Sequence, residues 1–190
     1  VTFAQDKTEY KKIEGSIEVK TKITVAPEEP VEIRRLSLKN NGNNVETLEV
    51  TSYFEPVLST DIQDYAHTAF NNLFLIFKEI GNGNILIKRK KRGPKQRDIY
   101  AGVSLYTESE TIGDAQYEID KEKFIGTGNL RMPEAIKNSK PFSKSLGLVT
   151  DPGLAIKKTI KIMPGETATL DLVISAGFEF FIASGILKLP

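Results

Sequence analysis

The sequence predicts an antiparallel, all-β domain packed as a sandwich, with at most one or two short helices. Three observations carry this. Apolar residues alternate with polar ones in many short runs, the period of a strand with one buried face. Asn-Gly, Pro-Glu and Pro-Gly signals separate the runs, and these residues accept the backbone angles that tight turns require. Almost nowhere do apolar positions follow the helical period, so short strands must bury one another as packed sheets.

The strands can be justified in order. From Tyr10 to Val25, Ile13, Ile17, Val19, Ile23 and Val25 occupy odd positions, with a turn at Glu14 to Ser16. Pro27 and Pro30 stop that ladder, because proline lacks the N–H a ladder needs. Val31 to Lys39 reads as the next strand, and its change of apolar parity at Arg34-Arg35 predicts a bulge. Asn40 to Asn44 then predicts a hairpin into a strand around Leu48 to Glu55. Asp61 to His67 is too polar for a core and reads as an acidic, aromatic loop. Leu73 to Phe77 sends apolar side chains to both faces and is expected to be a central strand; Phe74 is placed in the core, where truncation to alanine costs about 3 to 5 kcal/mol. Gly81 to Asn84 predicts a hairpin returning through Ile85 to Ile87. Further strands are expected at Ile99 to Thr107, Ala115 to Ile119, Leu154 to Ile162 and Thr167 to Ser175, with a short helix at Pro133 to Asn138.

At 190 residues the chain is long enough to bury a proper core, and it reads as one sandwich domain over residues 1–175 followed by an apolar tail, 176–190, a divergent or truncated linker. The strand-like start and greasy end predict a segment of something longer. Twenty-six Lys and Arg balance 25 Asp and Glu, so no global field recruits nucleic acid or anionic lipid. Without cysteine there is no disulfide, thiolate nucleophile or Cys-ligated zinc, which fits a reducing compartment. The first residues carry no secretory signal pattern, and no apolar run reaches the roughly 18 to 20 residues of a membrane span.

Candidate chemistry is sparse. His67, the single histidine, stands near Asp61 and Asp64, an arrangement that can relay protons or hold half a metal site; three ligands are the usual need, so a loop histidine bonded to backbone is the better reading. Glu55, Asp61, Asp64, Asp98 and Asp120 offer carboxylate pairs for glycoside cleavage, but any chain with 25 acids offers such pairs, and solvated or turn-capping roles are the better reading. Lys88 to Arg92, Lys95 and Arg97 place seven cations in ten residues. Protection of a sheet edge or an intramolecular dock explains them better than nucleic acid, since no aromatics interleave. Gly126-Thr127-Gly128 is too short for a phosphate loop. Tyr53, Phe54, Tyr65, Phe70 and Phe74 can form a sugar platform or simply pack a core. The candidates for carbohydrate contact are Tyr53, Glu55, Tyr65 and His67; no catalytic residue, metal ligand or cofactor site is expected.

An ordered series of segments resembles a known family. It comprises Val31-Glu32-Ile33-Arg34-Arg35 with Leu38; Glu49 to Glu55 with Val57-Leu58; Ala66-His67 with Ala69-Phe70 and Leu73-Phe74; Arg92-Gly93-Pro94; Tyr117-Glu118 with Asp120; Phe124-Ile125-Gly126; Asp151-Pro152; and Pro164-Gly165-Glu166. It is similar to the β-sandwich of cyclic β-1,2-glucan synthases and related sugar phosphorylases, glycoside hydrolase family 94. The chain departs at Thr68 (proline in the family), Gly153 (a bulky aliphatic), Thr127 (arginine) and near Tyr100 (tryptophan). The resemblance implies a supersandwich, galactose-mutarotase-like fold. It also implies that catalysis belongs to an (α/α)6 barrel outside this chain, which packs on the sandwich. The chain alone is then not catalytic, and its parent is a glycosyltransferase or glycoside phosphorylase. Expected partners are that barrel, a β-glucan oligosaccharide and a second copy, in the cytoplasm or on the cytoplasmic side of an inner-membrane parent. An independent carbohydrate-binding module is the alternative, and nucleic-acid binding through residues 88–97 the third.

Overall fold

The computed structural model describes residues 1–178, and in them the expected antiparallel β architecture is present. In chain order the strands are β1 (Thr2–Phe3), β2 (Thr8–Glu14), β3 (Ile17–Val25), β4 (Val31–Asn40), β5 (Glu46–Phe54), β6 (Leu75–Glu79), β7 (Ile85–Arg89), β8 (Ile99–Thr107), β9 (Gln116–Asp120), β10 (Pro152–Ile162) and β11 (Thr167–Gly177). The helices are α1 (Asp61–Asn72), α2 (Lys121–Ile125) and α3 (Glu134–Lys137). Eight strands form one sheet in the order β1-β2-β3-β4-β11-β8-β7-β6, and three form a second in the order β5-β10-β9.

The main core lies between the two sheets. The large sheet contributes Leu38, Leu170, Val103, Ile85, Ile87 and Phe77, and the small sheet answers with Leu154, Ile156, Ile160, Ile162 and Ile119. These are the alternate positions that the period-two reading marked, and alternation puts them on one face of each pleat. A smaller cluster of Phe124, Ala135, Phe142 and Ala155 covers the far face of the small sheet, roofed by α2 and α3.

Several expectations are corrected. Residues 61–67 are not a loop but the start of α1: Thr60 accepts a hydrogen bond from the Gln63 N–H, and Asp61 and Asp64 sit in the first turn, where the helix dipole favours them. Leu73 caps that helix, so the strand begins only at Leu75 and Phe74 is half-buried, outside the core. The described residues hold three helices, more than the one or two expected. No bulge interrupts β4, whose pairing with β3 and β11 runs without a shift. Its apolar parity changes because Leu36 and Leu38 face the core while Arg34 and Glu32, on the same face, pair with each other. The Asn40 to Asn44 turn does not form a hairpin; it carries the chain from the large sheet to the small one. Fully buried Asn40 fixes the crossing by donating to the Asn44 and Ile162 carbonyls. β7 lies between β6 and β8, so the basic run that leaves it does not guard an edge. The open edge at β6 is met instead by a bridge from Phe77 to Gly147. β11 continues two residues past Ser175 to Gly177, and the tail from residue 179 lies outside the described residues.

Candidate functional site

The candidate contact residues fall into two separate places. Tyr53 and Glu55 stand at the end of β5. There Tyr53 lies on the far face of the small sheet, and its ring stacks on Phe124 of α2 at 4.9 Å between centroids and 13° between planes. Its hydroxyl donates to Glu55 at 3.0 Å, and the other Glu55 oxygen accepts from Lys121 Nζ at 3.0 Å. Asp151 is 3.9 Å from the same ammonium. Burial, then the bond to Glu55, pushes the Tyr53 hydroxyl up, and the same carboxylate raises Lys121. Asp120 caps α2 by accepting from the Glu122 and Lys123 N–H groups. One face of Tyr53 is therefore taken by Phe124, and the carboxylates around it are held by cations and caps.

The fit beside Gly153 is close. A Cβ on Gly153 would lie 2.6 Å from the Tyr53 hydroxyl oxygen, so no larger side chain fits while that ring stays on Phe124.

Tyr65 and His67 sit on α1 and share no hydrogen bond or ring contact with the first pair. Tyr65 is 94% exposed, and His67 is exposed at a kink where its backbone leaves helical values (φ −150°, ψ 53°). Among the described residues no group of three His, Cys, Asp or Glu is placed to hold a metal ion. Asp61 and Asp64 serve the first turn of α1, and Asp98 pairs with Lys88 and Lys91.

The helix is anchored by one buried polar residue. Its buried residue is Asn71, whose amide donates to the Gln63 and His67 carbonyls at 2.6 and 3.0 Å and accepts from Arg89 at 2.9 Å. Arg89, only 8% exposed, also donates to the Leu58 carbonyl at 2.9 Å. Burial, then the nearby charge of Arg92, weighs against its positive charge. Away from Asn71 most of the helix is exposed, polar Asp61, Gln63 and Thr68 along with apolar Ile62 and Tyr65 before the kink and Phe70 and Leu73 after it. Arg92 lies over Phe70 and Phe74, 4.8 and 5.3 Å from their centroids, and the two rings meet edge to face. Beside the helix a cavity of about 570 Å³ is lined in part by Val57, Leu58, Ile99 and Phe178.

Sequence reasoning missed Arg89 because it treated residues 88–92 as one charge run. The signal was there: Ile85, Ile87 and Arg89 share one parity, and the first two are fully buried. The helix was hidden by the same polar residues that made 61–67 look like a loop.

Comparison with known proteins agrees with this architecture. The family model for the glycosyl hydrolase 94 supersandwich domain matches residues 1–180. Cyclic beta-(1,2)-glucan synthase NdvB of Rhizobium meliloti is 29% identical over 170 residues, which is 88% of this chain and 6% of that protein. The chain thus spans a small part of the curated relative it matches.

Proposed function

The chain belongs to the glycosyl hydrolase 94 supersandwich family, and from that premise we propose that it is a non-catalytic β-sandwich module of a multidomain β-glucan synthase or phosphorylase. It packs against a helical catalytic domain and shapes the entrance to that domain's carbohydrate site. The observation that carries this reading is the set of exposed apolar residues on α1. Ile62 and Tyr65 before the His67 kink and Phe70 and Leu73 after it are all exposed, and aromatic and aliphatic side chains set among charged ones are the composition of an interface. The carboxylates offered for glycoside cleavage support the same view, since Glu55, Asp98 and Asp120 are each committed to an ion pair or a helix cap.

Two measurements test it. Titration of the chain with β-1,2-glucooligosaccharides, followed by NMR, is expected to give weak shifts or none; saturable binding at micromolar glucan would favour an independent carbohydrate-binding module. Binding of a separately produced helical glucan-processing domain is expected to weaken by tenfold or more in Tyr65→Ser, in the range of interface anchors. Binding unchanged by that substitution would remove α1 from the interface. Nucleic acid has little to hold in the basic run, where Lys88 and Lys91 pair with Asp98, Arg89 is buried and Arg92 covers two rings.

A further inference from the structure

One lysine stands where the sandwich needs an apolar side chain. On β10 the inward-facing positions Leu154, Ile156, Ile160 and Ile162 are all 2% exposed or less, and Lys158 shares their parity. It lies opposite Val50 on β5, in a stretch of unbroken register, and is itself half-buried. Its neighbour Lys157 faces the other way and is satisfied, donating to Glu49 at 2.9 Å beneath the Phe142 ring. The Lys158 side chain has no ion pair and no hydrogen bond among the described residues. Burial lowers its pKa with no charged neighbour to offset the effect.

Lys158 lines a cavity of about 410 Å³. The cavity exists because the strand beside β10 is interrupted. β9 covers β10 as far as the Gln116 to Lys157 pair, Thr111 bridges Ile160 and the Ile112 N–H donates to the Thr159 carbonyl at 2.9 Å, and residues 113–115 lie between, through Gly113 at φ +70°. The opposite wall is the β6–β7 hairpin, packed so closely that a Cβ on Gly83 would lie 2.6 Å from the Ala115 Cβ. Main chain on both sides fixes the width. Of the charged groups in the lining, Glu79 is hydrogen-bonded: one oxygen accepts from the Gly83 N–H and the other from the Tyr117 hydroxyl, both at 3.0 Å. Those donors are neutral and leave the carboxylate its charge, so Lys158 and Lys144 balance Glu79 and Asp114 across the lining, and Lys158 is the cation among them that is withdrawn from water without a partner.

We propose that this cavity binds a small oxyanion, a phosphate or carboxylate group, which pairs with Lys158 at its base and Lys144 at its rim. The anion supplies the counter-charge that the fold withholds from Lys158, and a half-buried cation without a partner favours such a ligand over water. The Thr111 hydroxyl and the Asn82 amide line the same space and offer further donors. The proposal is independent of the docking face on α1.

The test is NMR of the full chain with its lysines reductively ¹³C-dimethylated, which keeps their charge. Inorganic phosphate and acetate are titrated separately against chloride at constant ionic strength, and Lys158→Met identifies the Lys158 signal. The expected result is a saturable shift of that signal, together with a rise in its pKa, with at least one of the two anions. Lys144→Ala should weaken the binding several-fold, while a surface control, Lys95→Ala, leaves it unchanged. The arm that saturates at the lower concentration distinguishes phosphate from carboxylate. A Lys158 signal that does not move with either anion, or that moves no more than those of exposed lysines, overturns the proposal.

Discussion

Phe74 and Phe77 lie three residues apart and meet different surroundings. Phe77 is 2% exposed between the sheets, whereas Phe74 touches Phe70 and Arg92 at the surface. Phe77→Ala is therefore expected to cost about 3 to 5 kcal/mol, and Phe74→Ala about 1 kcal/mol, the scale of an edge-to-face pair and an exposed cation–π contact. Urea unfolding of the two variants checks the order; equal losses would contradict it. Arg89→Met leaves Asn71 without a donor for its buried oxygen and is expected to cost about 1 to 3 kcal/mol, with faster hydrogen exchange confined to α1. Tyr117 gives a pH prediction. Its hydroxyl is pushed up to about 12 by burial and by its bond to Glu79, while tyrosine in an unfolded chain titrates near pH 10. Below about pH 10 both states hold the proton and the stabilisation is complete. Between about 10 and 12 only the unfolded chain releases it, so on the order of 2 kcal/mol is lost as pH rises. Tyr53 is shifted in the same direction. The alkaline loss should be shallower in Tyr117→Phe, and an unchanged slope would refute the assignment.

At the scale of elements, legibility followed the number of layers covering each face. β8 was read to its observed ends, and β10 and β11 to within two residues, because one of their faces meets the core and the alternation is plain. α1 was not legible, because its one buried residue is polar: Asn71 goes inward to Arg89, while Tyr65 and Ile62 are exposed. The many exposed polar residues of that segment are what a sequence presents as loop. α2 escaped for a different reason: five residues are too few for a period, and its Asp120 cap was counted among possible acids. Lys158 breaks the alternation of its strand, since it shares parity with buried Ile156 and Ile160.

For the whole molecule, an ordered series of short segments located the family better than any single constellation did, and the supersandwich match covers residues 1–180. The contact candidates were less legible, since Tyr53 and Glu55 pack with α2 while Tyr65 and His67 stand on α1. Contacts of that kind depend on which sheet a turn feeds, and the Asn40 crossing gave no sign of it in sequence. What unites the surface is the set of exposed apolar residues on α1 beside the Arg92 and Phe70 stack. Hydrogen exchange of the α1 amides, measured on the chain alone and then with a helical glucan-processing domain, tests the docking account most directly. Protection rising across residues 62–73 on mixing, and lost again in Tyr65→Ser, is the predicted result. A complex that forms with α1 exchanging as it does in the free chain would contradict the account.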